Sequence, residues 1–98
     1  ACISPEAYEL VINDLQKIDI PYGFKINAFK KIPEGYTVAS KDEWGNAGNP
    51  NTVLGKNTDL NESKFYEYAK NFKENGATIL GGCCEIRPSH IRKIAKLK

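Results

Sequence analysis

Ala77-Thr78-Ile79-Leu80-Gly81-Gly82-Cys83-Cys84 is the stretch from which the fold can be read. Ala77 to Leu80 is a short apolar run, the pattern of a buried strand. Pro88 to Lys98 reads as a helix opened by Pro88 or Ser89, with Ile91, Ile94, Ala95 and Leu97 expected to face inward. The cysteines therefore stand where a strand ends and a loop leads into a helix. Neighbouring side chains in a pleat point to opposite faces, so adjacent cysteines share one centre only where the chain leaves the strand. Gly81 and Gly82 are expected to supply that departure, because glycine tolerates positive φ.

A similar junction opens the chain. Cys2 lies 81 positions before Cys83, in what reads as the frayed end of a strand, residues 1–3. Ser4 is the expected N-cap and Pro5 the first helical residue, with Glu6 and Glu9 complementing the helix dipole. This helix is expected to reach about Ile18, with Tyr8, Val11, Leu15 and Ile18 as its buried stripe, and Pro21 stops it. Gly23 to Ala28 reads as the next strand despite Lys25. Asn27 near its end has two readings: an amide capping the turn, or a substrate-positioning amide in the layer of the cysteines. Phe29 to Asn57 is a long connection rich in turn formers, with Tyr36 and Trp44 as its expected anchors. Glu62 to Asn75 is the clearest helix, capped by Asn61 and stopped by Asn75-Gly76, with Phe65, Tyr68, Ala69 and Phe72 on one face.

Strand and helix alternate throughout, which predicts an α/β fold with parallel strands. Two strands and a stub are too few to close a barrel, and parallel sheets need cover on both faces. Further βα units are therefore expected upstream, and the absence of methionine, even at position 1, agrees with a piece of a longer protein. The 98 residues, 41% apolar and 27% charged, are ordinary for one globular domain. A net charge of +2 is too small to argue for nucleic acid. The cations Arg87, Arg92, Lys93, Lys96 and Lys98 carry no interleaved aromatics and read as a solvated face. No apolar run approaches the roughly 18 residues of a membrane span. Three cysteines, an odd number, fit poorly with a complete disulfide framework and point to a reducing cytoplasm, where clustered thiols are metal ligands or catalytic groups. The triplet Asn61-Glu62-Ser63 matches a glycosylation sequon but is better explained by the helix cap.

Cys2, Cys83 and Cys84 thus suggest a Cys₃ metal site at one end of a sheet or barrel. Three protein ligands with an open fourth position are the usual catalytic arrangement of zinc. Three thiolates leave the Zn²⁺ unit at net charge −1, a poor setting for making hydroxide and a good one for holding a further thiolate nucleophile. The matching electrophile is an alkyl group on a cationic centre. His90 is a possible fourth ligand but reads first as a packed, hydrogen-bonded group. Two other readings stay open: cysteines that simply fill the core, and a Gly81-Gly82 phosphate cradle before the last helix.

The run Gly76 to Cys84 followed by Pro88-Ser89-His90-Ile91 closely resembles the signature of the homocysteine S-methyltransferase family, and Cys2-Ile3-Ser4-Pro5 resembles the family's segment after the sixth barrel strand. The resemblance covers nearly the whole chain. It implies a zinc-dependent (βα)₈ TIM barrel, of which residues 1–98 are the C-terminal portion, about the last three βα units. It also implies that Cys2, Cys83 and Cys84 bind Zn²⁺ and that a methyl group passes from S-methylmethionine or S-adenosylmethionine to homocysteine, giving methionine. The piece alone would be inactive without the N-terminal part of the barrel. The alternative is a non-catalytic zinc-binding or phosphate-binding barrel fragment. The chain departs from the family pattern at Ala1, in place of asparagine, and at Glu85-Ile86-Arg87, in place of the commoner Gly-Thr-Thr loop. The second change removes a threonine cap, for which Ser89 is the expected substitute.

Overall fold

The computed structural model describes residues 2–30 and 54–97. Three parallel strands and three helices alternate along it: β1 (Cys2–Ile3), α1 (Pro5–Leu15), β2 (Gly23–Ile26), α2 (Glu62–Glu74), β3 (Ile79–Gly82) and α3 (Pro88–Ile94), with a 3₁₀ turn over Ala95–Leu97. The sheet order is β1-β2-β3. The expected α/β pattern with parallel strands is therefore present.

The helices start where their capping residues place them. Ser4 Oγ accepts the Ala7 amide at 3.1 Å, and Asn61 Oδ1 accepts the Lys64 amide at 2.9 Å. α2 ends in a Schellman arrangement in which Gly76 N–H reaches Lys73 O and Ala77 N–H reaches Phe72 O, each at 3.0 Å. Gly76 has the left-handed φ of 105° that this stop requires. A Cβ there would also collide with the hydroxyl of Tyr22, which donates to Asn75 O at 2.8 Å.

Register decides which face of the sheet is covered. Cys2 pairs with Lys25 and Lys25 with Gly81, so these three share one face, while Ile3, Ile26 and Gly82 share the other. All three helices lie over the second face. There Tyr8 of α1, Phe24 of β2 and Phe72 of α2 meet with ring centroids 4.4 to 5.7 Å apart. Each such aromatic pair contributes roughly 0.5–1.5 kcal/mol beyond its area burial. Phe65, Ala69, Ile94 and Leu97 complete this core. The first face has no cover among the described residues, and Ile79 stands 60% exposed on it.

Several expected boundaries and faces move. α1 ends at Leu15 because the following amides bond three residues back, Lys17 to Asp14 and Ile18 to Leu15. Its buried stripe is Tyr8 and Ile12, with Leu15 half-buried beside them; Val11 and Ile18, expected inside, are each 42% exposed. β3 runs from Ile79 to Gly82 rather than from Ala77 to Leu80, since Ala77 is consumed in closing α2 and pairing begins where Gly23 meets Ile79. β2 ends at Ile26, although Asn27 and Ala28 go on donating to neighbouring carbonyls. α3 is shorter than expected and buries His90 and Ile94, leaving Ile91 and Ala95 exposed. Its N-cap is Arg87, not Ser89, whose hydroxyl instead donates to Glu62 Oε1 at 2.6 Å and joins α3 to the start of α2. That bond holds the Glu62 carboxyl below its usual pKa range.

Of the long connection, the two ends are described. Phe29 and Lys56 form an antiparallel bridge, and Lys30 N–H donates to Gly55 O at 3.0 Å. The expected anchors Tyr36 and Trp44 lie outside the described residues.

Candidate metal centre

The parallel sheet brings the three cysteines to the ends of its two outer strands, on either side of β2. Beyond the last ladder pair, Asn27 N–H donates to Ile3 O at 2.8 Å, Cys83 N–H to Ile26 O at 2.8 Å and Ala28 N–H to Cys84 O at 2.9 Å. These bonds set the backbone of both cysteine segments against the end of β2. Cys83 O then accepts Ile86 N–H at 3.1 Å, closing a turn that presents Cys83 and Cys84 together. Glu85 sits in that turn with φ of 63°, its side chain nearly buried and paired to Arg87 at 3.2 Å.

The expected role of the double glycine is corrected here. Gly81 and Gly82 are the last two residues of β3, paired with Lys25 and Ile26, and the left-handed residue of this segment is Glu85. Gly82 is needed for a different reason: a Cβ there would overlap the side chain of Ile86, which folds back over it. Gly81 has only ordinary contact, 3.6 Å to Phe24 O. Glycines held in an extended ladder do not form an anion cradle, so the phosphate reading loses its footing. Sequence reasoning missed the parts played by Glu85 and Ile86. The available signal was the departure at Glu85, where the family's commoner loop carries a glycine.

The sulfurs of Cys2 and Cys84 are 3.7 Å apart, those of Cys83 and Cys84 3.8 Å, and all three lie within 4.8 Å of one another. A tetrahedral shell with Zn–S bonds of about 2.3 Å places its sulfurs about 3.8 Å apart. The thiols are free, Cys2 exposed and the other two half-buried. Two of the three separations already match a metal shell, and they are far longer than the disulfide bond of about 2.05 Å.

Burial acts to raise Cys2, but hydrogen bonds from Cys83, the Cys84 amide and Asn27 outweigh it and hold the thiol below its ordinary range. Burial, followed by the bonds to Cys2 and Cys83, pushes Cys84 up to about 11. The two thiols 3.7 Å apart are thus shifted in opposite directions, Cys2 down and Cys84 up. A thiol raised as far as Cys84 becomes a thiolate near neutral pH when a cation is bound beside it.

Asn27 is 1% exposed and uses both ends of its amide. Its Oδ1 accepts Phe29 N–H at 3.3 Å, which is the turn-capping role, and its Nδ2 donates to Cys2 Sγ at 3.6 Å, which places the amide in the sulfur layer. His90 is not drawn into the cluster. One ring nitrogen accepts Arg87 N–H at 3.1 Å and the other donates to Leu60 O at 3.1 Å, so no lone pair remains for a metal. A cleft of about 730 Å³ adjoins Cys2, lined among others by Ser4, Leu10, Phe29 and Lys30.

The family model for homocysteine S-methyltransferase matches residues 1–97. The chain belongs to the homocysteine S-methyltransferase family. No curated protein and no solved structure matches it. Membership in this methyltransferase family implies small-molecule methyl donors and acceptors, and no described helix is long and apolar enough to cross a membrane. In this homocysteine S-methyltransferase-family chain, the residues brought into one cluster are Cys2, Cys83, Cys84 and Asn27; Ser89 and His90 instead serve the start of α3 and its junction with α2.

Proposed function

We propose that this chain forms the last three βα units of a (βα)₈ barrel that transfers a methyl group to the thiol of homocysteine, giving methionine. The observation that carries the reading is the sulfur triangle of Cys2, Cys83 and Cys84, whose 3.7 and 3.8 Å edges fit the zinc–thiolate shell. Zinc, when bound, supplies a position at which the acceptor sulfur is held as a thiolate at neutral pH.

The chain's own residues prepare that position. Cys2, Cys83 and Cys84 give up their protons to hold the ion, and Asn27 lies beside Cys2, within reach of an acceptor that joins the cluster. With three thiolates already present, the surroundings are electron-rich, which keeps the acceptor sulfur nucleophilic. The donor is a methylated sulfonium, S-methylmethionine or S-adenosylmethionine. Its S–CH₃ bond breaks as the new bond to the acceptor sulfur forms, and it leaves as a neutral thioether.

The bare face of the sheet supports the barrel reading. Cys2, Lys25, Ile79 and Gly81 line it, and a parallel sheet with helices on one side alone is stable when the other side is closed by further strands. A second, apolar cleft of about 720 Å³ between the start of β3 and α3 gives a further βα unit a place to pack. The piece by itself is then inactive, and its free thiols suit a reducing cytoplasm.

Elemental analysis of the full-length protein, purified without chelator, tests this reading together with methyl transfer from each sulfonium donor. One zinc per chain, lost in Cys83→Ser, and methionine formed from homocysteine are expected. A folded, reduced protein that holds no metal overturns it.

A further inference from the structure

His90 is 3% exposed, takes no part in the sulfur cluster, and stands edge-on to Phe65 with ring centroids 5.6 Å apart. Its two ring nitrogens complete a closed circuit of hydrogen bonds. Cys84 O accepts Ala28 N–H at 2.9 Å, Ala28 O accepts Asn57 N–H at 2.7 Å, and Asn57 O accepts Leu60 N–H at 3.2 Å. Leu60 O accepts from His90 Nε2, and His90 Nδ1 accepts Arg87 N–H, which leads back through Ile86 and Glu85 to Cys84. Every other link is backbone. Because Arg87 N–H can only donate and Leu60 O can only accept, the circuit requires the imidazole with its proton on Nε2.

We propose that His90 is a positioning residue for the metal-binding thiols. It fixes the far end of the turn carrying Cys83 and Cys84 against the residues leading into α2, while Ala28 fixes the near end. The sulfur geometry then depends on a ring six residues away that touches neither metal nor substrate. This rests on the zinc reading above.

The test uses the full-length protein. His90→Leu removes both bonds, whereas His90→Gln keeps the reach of an N3 side chain back to the N-cap amide and loses the link to Leu60. Zinc affinity is measured by competition with a chromophoric chelator, and thiolate geometry by the sulfur-to-metal absorption of the cobalt-substituted protein. His90→Leu is expected to weaken zinc binding roughly 10- to 100-fold, the range for outer-shell partners, and to shift the cobalt spectrum, with His90→Gln restoring part of both. A folded His90→Leu protein with wild-type affinity and spectrum overturns the proposal, since a residue that only packs the core would change stability alone. If His90→Leu does not fold, His90→Gln decides by the same readouts: altered values support the proposal and wild-type values overturn it. A wild-type protein that binds neither zinc nor cobalt sinks the zinc reading itself, an outcome distinct from unchanged variants.

Discussion

Cys2 and Cys84 are 82 positions apart in the chain, and their sulfurs are 3.7 Å apart. If that contact is one edge of a metal shell, no ligand is dispensable. Cys84→Ser, or either of the other serine variants, is expected to weaken zinc binding by more than the roughly 10- to 100-fold that outer-shell changes cost. Zinc content after dialysis against a weak chelator checks this. Full retention by Cys84→Ser would remove it from the ligand set.

Metal affinity should rise with pH. Burial and the bonds to Cys2 and Cys83 push Cys84 up to about 11, and each thiol must lose its proton to bind. With Cys84 that high, the logarithm of the apparent zinc affinity is expected to rise by at least about one per pH unit between pH 6 and 8. Falling pH therefore releases the ion. A flat profile from competition titrations would show that the thiols are not the ligands.

The two glycines should respond differently. Gly82→Ala drives a methyl group into Ile86 and is expected to destabilise the protein by about 1–3 kcal/mol, moving the turn that carries Cys83. Gly81→Ala meets only Phe24 O at 3.6 Å, so its cost should be much smaller. Denaturant midpoints of the pair decide it, and equal losses would contradict the geometry.

Glu85→Gly should stabilise the protein. A left-handed conformation costs an L-residue roughly 1–2 kcal/mol, and the pair with Arg87, whose guanidinium side is exposed, contributes at most about 1 kcal/mol. Part of the gain is offset by the greater freedom of glycine in the unfolded chain. The expected net is up to about 1 kcal/mol, and a lower denaturation midpoint would show that the Arg87 pair matters more than the backbone.

What was legible in the sequence was whatever local chemistry decides. Ser4, Asn61 and Gly76 act through their own neighbourhoods, so the cap and stop positions they imply are where the structure has them. Cys83 and Cys84 could be placed at a junction because strand, turn and helix succeed one another within a few residues. Faces and registers were less legible. Val11 and Ile12 are both apolar, and which of them is buried depends on the angle at which α1 meets Phe24 and Phe72. The start of β3 depends on where Tyr22 and Gly23 meet it, 56 residues away for the Thr78–Tyr22 bond. Asn27 remained double because a carboxamide has two ends, and here they serve different partners.

The strand order has a mechanical consequence. β2 lies between β1, which carries Cys2, and β3, which leads into Cys83, so an ion shared by these sulfurs is a clasp laid over the end of the middle strand. It ties together points 81 residues apart, a span for which a covalent cross-link would restrict the unfolded chain by about 4–5 kcal/mol. A group that activates a substrate would by the same bonds hold the sheet together, and emptying the site would loosen the scaffold along with the chemistry.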